Sequence, residues 1–490
     1  MRLNLIWPEC ESLVWKMQPK HLTTYPVSLT LIAALTPPSW DIQIIDERMG
    51  EKINFDERVD LVGIAVRTLT APRAYEIAAE YRKRGVKVVL GGPHISVLPS
   101  EATLHADAIL LGEAEPVWGQ LITDFEAGHL KKYYKAGSLP PLGGHPIPRY
   151  DLIKSHNYSP MIQIESSRGC PLTCAYCSVP DLYGKSYRER SVNQIIEEIQ
   201  YFKELIFDSA PTPQGMPPGH KRKLHIAFVD DNIWPRRKHT RELLEALIPL
   251  DIEWSAQGSI TALRDPEFLS LAKASGCQLM GIGLESINQE SLLEVNKKVN
   301  VVEQFSETLQ TIHEHGIGVQ GYFMFGFDHD KPDGFEKTAQ FIIENHIEMP
   351  VFFICTPYPG TSYYNQLNSQ GRIFNRNWAR YDAHNLVINM KGMSNEELKE
   401  GFLYMHERVY SESAIKQRLS HRPPGPDFFY FANLHLNEFG KALRPYWQEQ
   451  EEKDRELAAI TPALNAPRVF AVNTRASFPI NRTGVNTSVN

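Results

Sequence analysis

The sequence predicts an α/β protein: a doubly wound, Rossmann-like parallel sheet, then a partial barrel of six βα units, then a mostly helical extension. Three observations carry this reading. Short apolar runs alternate with helix-period stretches as far as residue 370, the pattern of parallel sheets with crossover helices. Residues 137–150 (GSLPPLGGHPIPRY) crowd Gly and Pro breaks between two such series. Beyond 370 the strand pattern stops and helical periodicity takes over. The expected division is a first domain at 1–136, a linker at 137–155, a barrel at 156–370, a helical extension at 371–455 and a disordered tail at 456–490, rich in Asn, Thr, Pro and Arg.

In the first domain, Leu3–Trp7, Ile42–Ile45, Leu61–Val66, Val86–Leu90 and Ala108–Leu111 read as buried strands. Helices are expected at Pro26–Leu35, Ala71–Arg84 and Pro116–Phe125. Such sheets bind ligands where loops leave the carboxyl ends of the strands, which singles out Asp46–Gly50, Arg67–Thr70, Gly91–His94 and Gly112–Glu115. In the second series, strands are expected at Met161–Glu165, Leu224–Val229, Ile252–Ala256, Leu279–Leu284, Val319–Phe325 and Val351–Cys355. Helices fall between them, at Val192–Leu205, Val301–His315 and Phe335–Glu344, and a Pro/Gly-rich insertion occupies Ala210–His220. In a barrel of this kind the chemistry belongs at the carboxyl ends of the strands. The extension reads as a helix at Glu396–Ser411, a break at Pro423–Pro426 and a second helix from Phe428 to Leu443.

Composition narrows the function. Of 490 residues, 42% are hydrophobic and 22% charged, enough to bury a core. A net charge of −7 argues against a nucleic-acid partner held by phosphate neutralisation. No apolar run approaches the roughly 20 residues of a membrane span. Met1–Leu13 lacks the basic-then-apolar order of a signal peptide, so the cytoplasm is the expected location. Six cysteines do not make a disulfide framework, and three of them crowd into one loop.

That loop is RGCPLTCAYC, with Cys170, Cys174 and Cys177 at the spacing C-x3-C-x2-C. Three thiolates this close can hold three irons of a cubane and leave the fourth open. The competing readings are a zinc loop, which wants a fourth ligand, and three ordinary cysteines. Cys10, Cys277 and Cys355 lack such spacing and read as buried small hydrophobes.

A Cx3CxΦC loop after a first barrel strand resembles the radical S-adenosylmethionine (SAM) superfamily. The resemblance implies a 4Fe–4S cluster on the three cysteines, with Tyr176 packed over it and SAM chelated to the open iron. One electron would then cleave SAM to methionine and a 5′-deoxyadenosyl radical. The electron would come from a donor such as flavodoxin or ferredoxin. Other strand ends resemble the family's loops in order. In FVDDN (Phe228–Asn232), Asp230 and Asp231 are candidates to accept from the SAM amino group, with a helix N-cap as the rival role. In GIGLES (Gly281–Ser286), Glu285 would accept from the ribose. QGYFMFGF, beginning at Gln320, resembles the stretch that lines the adenine, and TPYPG (Thr356–Gly360) the loop that closes the barrel.

The first domain resembles cobalamin-binding domains fused ahead of such barrels, through TTYPVSLTLIAAL, DERMG, DLVGIAV, VVLGGPH and GEAE in that order. The resemblance implies cobalamin contacts from Asp46, Gly50, Thr68 (or Thr70), Gly91, Gly92, His94 and Glu113. The family's D-x-H-x-x-G motif is incomplete: Asp46 and Gly50 are present without a His between them. Cobalt would therefore lack an imidazole from that loop, and a scaffold that no longer binds cobalamin is the alternative.

The subfamily resembled includes the hopanoid 2-methylase, bacteriochlorophyll-pathway methylases and the anaerobic magnesium-protoporphyrin monomethyl ester cyclase. It implies cobalamin-dependent methyl transfer to an unactivated carbon of a lipid, tetrapyrrole or other small molecule. Radical cyclisation or oxidation without methyl transfer is the second reading, and a non-catalytic cobalamin or SAM sensor the third. Aromatic stretches at Tyr322–Phe327, Phe352–Phe353 and Phe428–Phe431 suit an apolar or planar substrate and equally suit a core. No residue is singled out as acid, base or nucleophile. His313 and His315 diverge at i, i+2 and make a poor metal pair. Arg236–Lys238 reads as a solvated surface run, and Tyr381, Asp382 and His384 as mouth or scaffold.

Overall fold

The computed structural model describes residues 1–460 except 155, 156, 160, 210–221, 234 and 422, and side chains as far as 456. The predicted insertion at 210–220 and most of the tail lie outside the described residues. The elements that matter below are β1 (Arg2–Trp7), α1 (Val27–Leu35), β2 (Asp41–Asp46), β3 (Leu61–Ala65), α2 (Ala71–Lys83), β4 (Lys87–Gly91), β5 (Ala108–Leu111), α3 (Trp118–Glu126) and β6 (Tyr133–Lys135). Their strands form one parallel sheet in the order β2-β1-β3-β4-β5-β6. The order reverses between β1 and β3, and an open α/β sheet binds ligands at that switch point. β6 is a three-residue edge strand too short to show a period in the sequence.

The strands are near-continuous apolar runs because both faces are covered. Leu3, Leu5, Leu61, Val89 and Leu110 pack under α1 and α3, while Ile6, Val62, Ile64, Val88 and Ile109 pack under α2. The expected linker is not a free tether. Tyr150 is buried edge-on to Tyr25 and Phe202 and donates to Glu198 Oε1 at 2.5 Å. An aromatic ring with a polar tip anchors what Gly and Pro alone would leave loose.

The barrel strands are β7 (Ile162–Ile164), β8 (His225–Phe228), β9 (Glu253–Gly258), β10 (Cys277–Glu285), β11 (Gly318–Phe325) and β12 (Val351–Ile354). They pair in parallel in sequence order, and among the described residues β7 and β12 do not meet, so the barrel is open. The helices that bear on the argument are α4 (Val192–Phe202), α5 (Phe305–Glu314), α6 (Asn395–Val409), α7 (Glu412–Arg418) and α8 (Pro426–Ile460). Pro426 opens α8, where its missing N–H costs nothing. The helix then runs past the expected end at Leu443 and through Pro445 to Ile460, so residues 456–460 are helical rather than part of a frayed tail. Phe439, Leu443, Tyr446 and Trp447 hold it against the buried face of α6, and this packing outweighs the proline. No helix among the described residues is long and apolar enough to cross a membrane.

Candidate active site

The cysteine loop leaves β7 and is fastened on all sides. Gly169 has φ +97°, and a Cβ there would lie 2.0 Å from the Ser186 carbonyl oxygen, so only glycine can precede Cys170. Its N–H donates to Asp231 Oδ2 at 2.8 Å. Asn296 donates to the Thr173 carbonyl and hydroxyl at 2.9 and 2.8 Å, and Ala175 N–H donates to Val295 O at 2.8 Å. Cys174 is buried, Cys170 and Cys177 half-buried. Burial pushes the Cys177 thiol up to about 12, so bound iron has to supply the charge that ionises it. The donor set fits a three-thiolate iron site: three sulfurs on one held loop, with Asn232 Nδ2 3.8 Å from Cys170 Sγ.

The aspartates of FVDDN face the loop. Asp230 is fully buried and accepts from Ser166 N at 3.1 Å, Ser166 Oγ at 2.6 Å and the Ser167 hydroxyl. Burial raises its pKa to about 6 against those hydrogen bonds. With Asp231 Oδ2 on Gly169 N–H, both carboxylates orient the strand-to-cysteine turn; Asp230 is taken up by the two serines, while Asp231 keeps its second oxygen. Asn232, which the sequence reading passed over, reaches Cys170 while its Oδ1 accepts from Ser259 N at 3.1 Å. Nothing in residue type marked it; only the turn after β8 aims it at the sulfur.

Glu285 is placed by a backbone irregularity. The β10–β11 register shifts between Gly283 and Glu285, and Glu285 takes φ +65°. Asn300 holds the bulged carbonyls of Gly283 and Leu284 at 2.8 and 2.9 Å. A bulge re-aims a side chain, and a non-glycine left-handed residue persists only where its surroundings hold it. The carboxylate then accepts from Tyr176 Oη at 2.8 Å and Lys297 Nζ at 3.2 Å. Tyr176 thus links the cysteine loop to Glu285. Gln320 lies beside Gly281 in register, and its Oε1 accepts from Tyr322 Oη at 3.0 Å.

A cavity of about 380 Å³ opens at the β1/β3 switch point. Leu5, Leu29, Ile32, Val89, Leu110 and Trp118 make an apolar slot along the sheet face under α1 and α3. Gly91, Gly92 and Glu113, three of the cobalamin candidates, line it. Gly92 has φ +113°, and a Cβ there would meet the Val66 carbonyl oxygen at 2.6 Å. Arg67, in a loop singled out from the sequence but not itself named as a contact, lines the same space, stacked over Trp15 and Trp7 with centroids at 4.3 and 5.0 Å. Its buried Nε and Nη2 have no partner, and burial pulls its pKa down to about 10. Orphaned donors, a glycine cradle and an apolar slot fit a large cofactor with a polar rim and an apolar tail.

Four other cobalamin candidates are outside the lining of this cavity. Asp46 is fully buried, paired with Arg48 at 2.5 Å, and accepts from Tyr158 Oη at 3.0 Å, so it joins the two domains. Gly50 closes the following turn at φ +80°, and Thr68 is buried in a turn outside the cavity wall. His94 is fully buried with Nε2 3.2 Å from Glu101 Oε1, and its ring lies against Trp378; it does not line the cavity. Tyr381, Asp382 and His384 are scaffold: Asp382 accepts from His384 N and Asn385 N, and Trp447 donates to the His384 carbonyl at 2.8 Å.

The cavity is walled from the barrel side too, by Glu165, Arg168, Leu182, Tyr183 and Val229. Arg168 meets Glu113 at 2.9 Å, Glu115 at 2.9 Å and Glu165 at 2.7 Å, and Arg188 also pairs with Glu113. The fold and site therefore define a two-domain cofactor enzyme, with an iron–sulfur loop at the carboxyl end of an open parallel barrel and a second cofactor crevice facing it.

The comparisons agree. The Radical SAM superfamily model matches residues 164–342 and the B12 binding domain model residues 22–121. The chain is 36% identical over 425 residues to bacteriochlorophyllide d C-12(1)-methyltransferase of Chlorobaculum tepidum, covering 86% of this chain and 90% of that protein. It is 35% identical to bacteriochlorophyllide d C-8(2)-methyltransferase of the same organism, over 90% and 98%. Its fold matches the radical SAM methyltransferase TsrM from Kitasatospora setae (TM-score 0.59, 15% identity, 91% and 99% coverage). It also matches the cobalamin-dependent radical enzyme OxsB (0.63, 14%, 94% and 81%). The chain belongs to the cobalamin-binding radical SAM enzymes, and its cofactors are a 4Fe–4S cluster, SAM and cobalamin.

Proposed function

We infer that the protein transfers a methyl group to an unactivated carbon of a planar, apolar tetrapyrrole of the chlorin type. The observation that carries the reading is the shared cavity: the crevice at the β1/β3 switch point is closed by barrel residues next to the cysteine loop. A methyl carrier and a radical source would thus face one substrate space. The relatives named as bacteriochlorophyllide methyltransferases support the substrate class.

When bound, the cluster supplies the electron that cleaves SAM, and cobalamin supplies the methyl group. Cys170, Cys174 and Cys177 would hold the cluster. Glu285, oriented by Tyr176 and Lys297, would accept from the ribose hydroxyls of SAM, with Gln320 on the neighbouring strand beside the adenine. Asp230 and Asp231 act as positioning residues on the loop. Gly91, Gly92 and Glu113 would cradle cobalamin, and Arg67, held against Trp7 and Trp15, would bring a positive charge to the wall of the crevice. The apolar walls exclude water from a radical that water and stray donors would quench.

The test is anaerobic turnover of the reconstituted protein with SAM, a reductant and chlorins that differ at their alkyl substituents. Equal formation of 5′-deoxyadenosine and methylated chlorin, with S-adenosylhomocysteine dependent on cobalamin, is the expected result. 5′-Deoxyadenosine with an unmethylated, oxidised or cyclised product would overturn methyl transfer.

A further inference from the structure

A second metal-ligand cluster lies away from the cysteine loop. We propose that His313, Glu348 and His421 form a binding site for one zinc-class divalent cation that clamps the helical extension to the barrel. His313 sits in the last turn of α5, Glu348 in the loop between the helix Asp333–Glu344 and β12, and His421 just after α7. Three separate segments thus converge beside Val319, near the start of β11, at the end of the barrel opposite the cysteine loop.

The geometry is that of a ligand set. His313 Nε2 is 3.2 Å from Glu348 Oε2, His421 Nε2 is 2.7 Å from Glu348 Oε1, and one donor atom of each residue lies within 4.8 Å of the others. The two imidazole centroids are 4.6 Å apart. Glu348 is fully buried, while the side chains of His313 and His421 keep 14% and 24% exposure, enough to admit an ion and a water. No Lys or Arg side chain pairs with the Glu348 carboxylate among the described residues; Arg418 binds its backbone carbonyl instead.

The outer contacts match what a metal requires. His421 Nδ1 lies 2.9 Å from the Arg418 carbonyl and donates to it. Its Nε2 faces Glu348 Oε1 at 2.7 Å, where an imidazolium proton bridges the two atoms and a metal ion would take that proton's place. Ligating imidazoles commonly donate their second N–H to a carbonyl in this way. Val319 N holds Glu348 Oε2 at 2.8 Å, and Asn433 Nδ2 holds the Glu348 carbonyl at 2.8 Å. Two imidazoles and one carboxylate with a solvent-facing fourth position suit zinc and disfavour calcium or magnesium. His315, two residues from His313, turns instead to the Thr311 carbonyl at 2.7 Å.

The test is calorimetric titration of the reconstituted holoenzyme with Zn2+, beside His313→Ala and His421→Asn, with melting temperature followed in parallel. One equivalent bound by the wild type, weakened at least tenfold in both variants, with a zinc-dependent rise in melting temperature lost in both, is expected. 5′-Deoxyadenosine formation should be unchanged, since neither residue touches the cofactor sites. Failure of the wild type to bind zinc, or binding undiminished in either variant, overturns the proposal. If the variants do not fold, anomalous density at the zinc edge in wild-type crystals decides the matter: a peak between the three side chains supports the site, and its absence refutes it.

Discussion

At the scale of single residues, the cysteine loop depends on Gly169 as much as on its thiols. Gly169→Ala places a Cβ against the Ser186 carbonyl, so the loop must shift and the three sulfurs lose their arrangement. The variant is expected to reconstitute with little iron and without the cluster's charge-transfer absorbance; iron content equal to wild type would refute this role. Glu285→Gln removes the charge that Tyr176 and Lys297 address. A hydrogen bond to a charged group contributes about 1.5–3 kcal/mol, so SAM affinity should fall roughly 10- to 100-fold while iron content stays constant. Equilibrium binding of SAM checks this. The three cysteines and Glu285 could be singled out in the sequence because their signals are local: a fixed spacing, and a short stretch that resembles a family loop. Arg67 and Asn232 were not, because arginine and asparagine are ordinary surface residues until the chain buries them beside a cavity or a sulfur.

At the scale of elements, the contact between sheet and barrel rests on Arg168. It follows β7 directly and inserts among Glu113, Glu115 and Glu165. Breaking a buried ion pair from one side costs about 3–5 kcal/mol, because the other charges stay buried. Arg168→Ala should therefore lower the melting temperature and release cobalamin from the purified protein, whereas Arg236→Ala, exposed on the surface, should do neither. Loss of cobalamin from both would assign the effect to general destabilisation. Two cobalamin candidates of the first domain also meet the barrel side. Glu113 lines the cavity while ion-paired to both Arg168 and Arg188. Asp46 accepts from Tyr158 across the domain junction. In both cases the partner lies on the other domain.

At the scale of the molecule, the buried histidines set an acid limit. Burial lowers the pKa of His225, on β8 against Ser255 of β9, and of His406, on the face of α6 that packs on Phe439 of α8, each to about 4. A histidine whose folded pKa lies below its unfolded value of about 6.5 holds fewer protons when folded, so stability is complete above pH 6.5 and is lost as pH falls toward 4. Each contributes up to about 3 kcal/mol of that loss. The melting temperature should fall steadily from pH 7 to pH 4.5, less steeply in His406→Gln; a rise over this range would contradict the assignment. The fold itself was largely legible, because parallel strands buried on both faces read as unbroken apolar runs. The short edge strand Tyr133–Lys135 and the full reach of α8 were not, since three residues show no period and a proline within a helix signals a break.

By itself the sequence determined the order of the elements, the cluster-binding loop, the glycine-lined turns of the first domain and the class of chemistry. All of these reside in residues a few positions apart, where spacing and backbone conformation act directly. Only the tertiary structure decided which loop residues line the crevice, which carboxylates lie at the domain junction, and that His313, Glu348 and His421 meet at all. Those outcomes depend on contacts between distant segments, and burial alone turns a common polar side chain into a ligand, an anchor or an orphan.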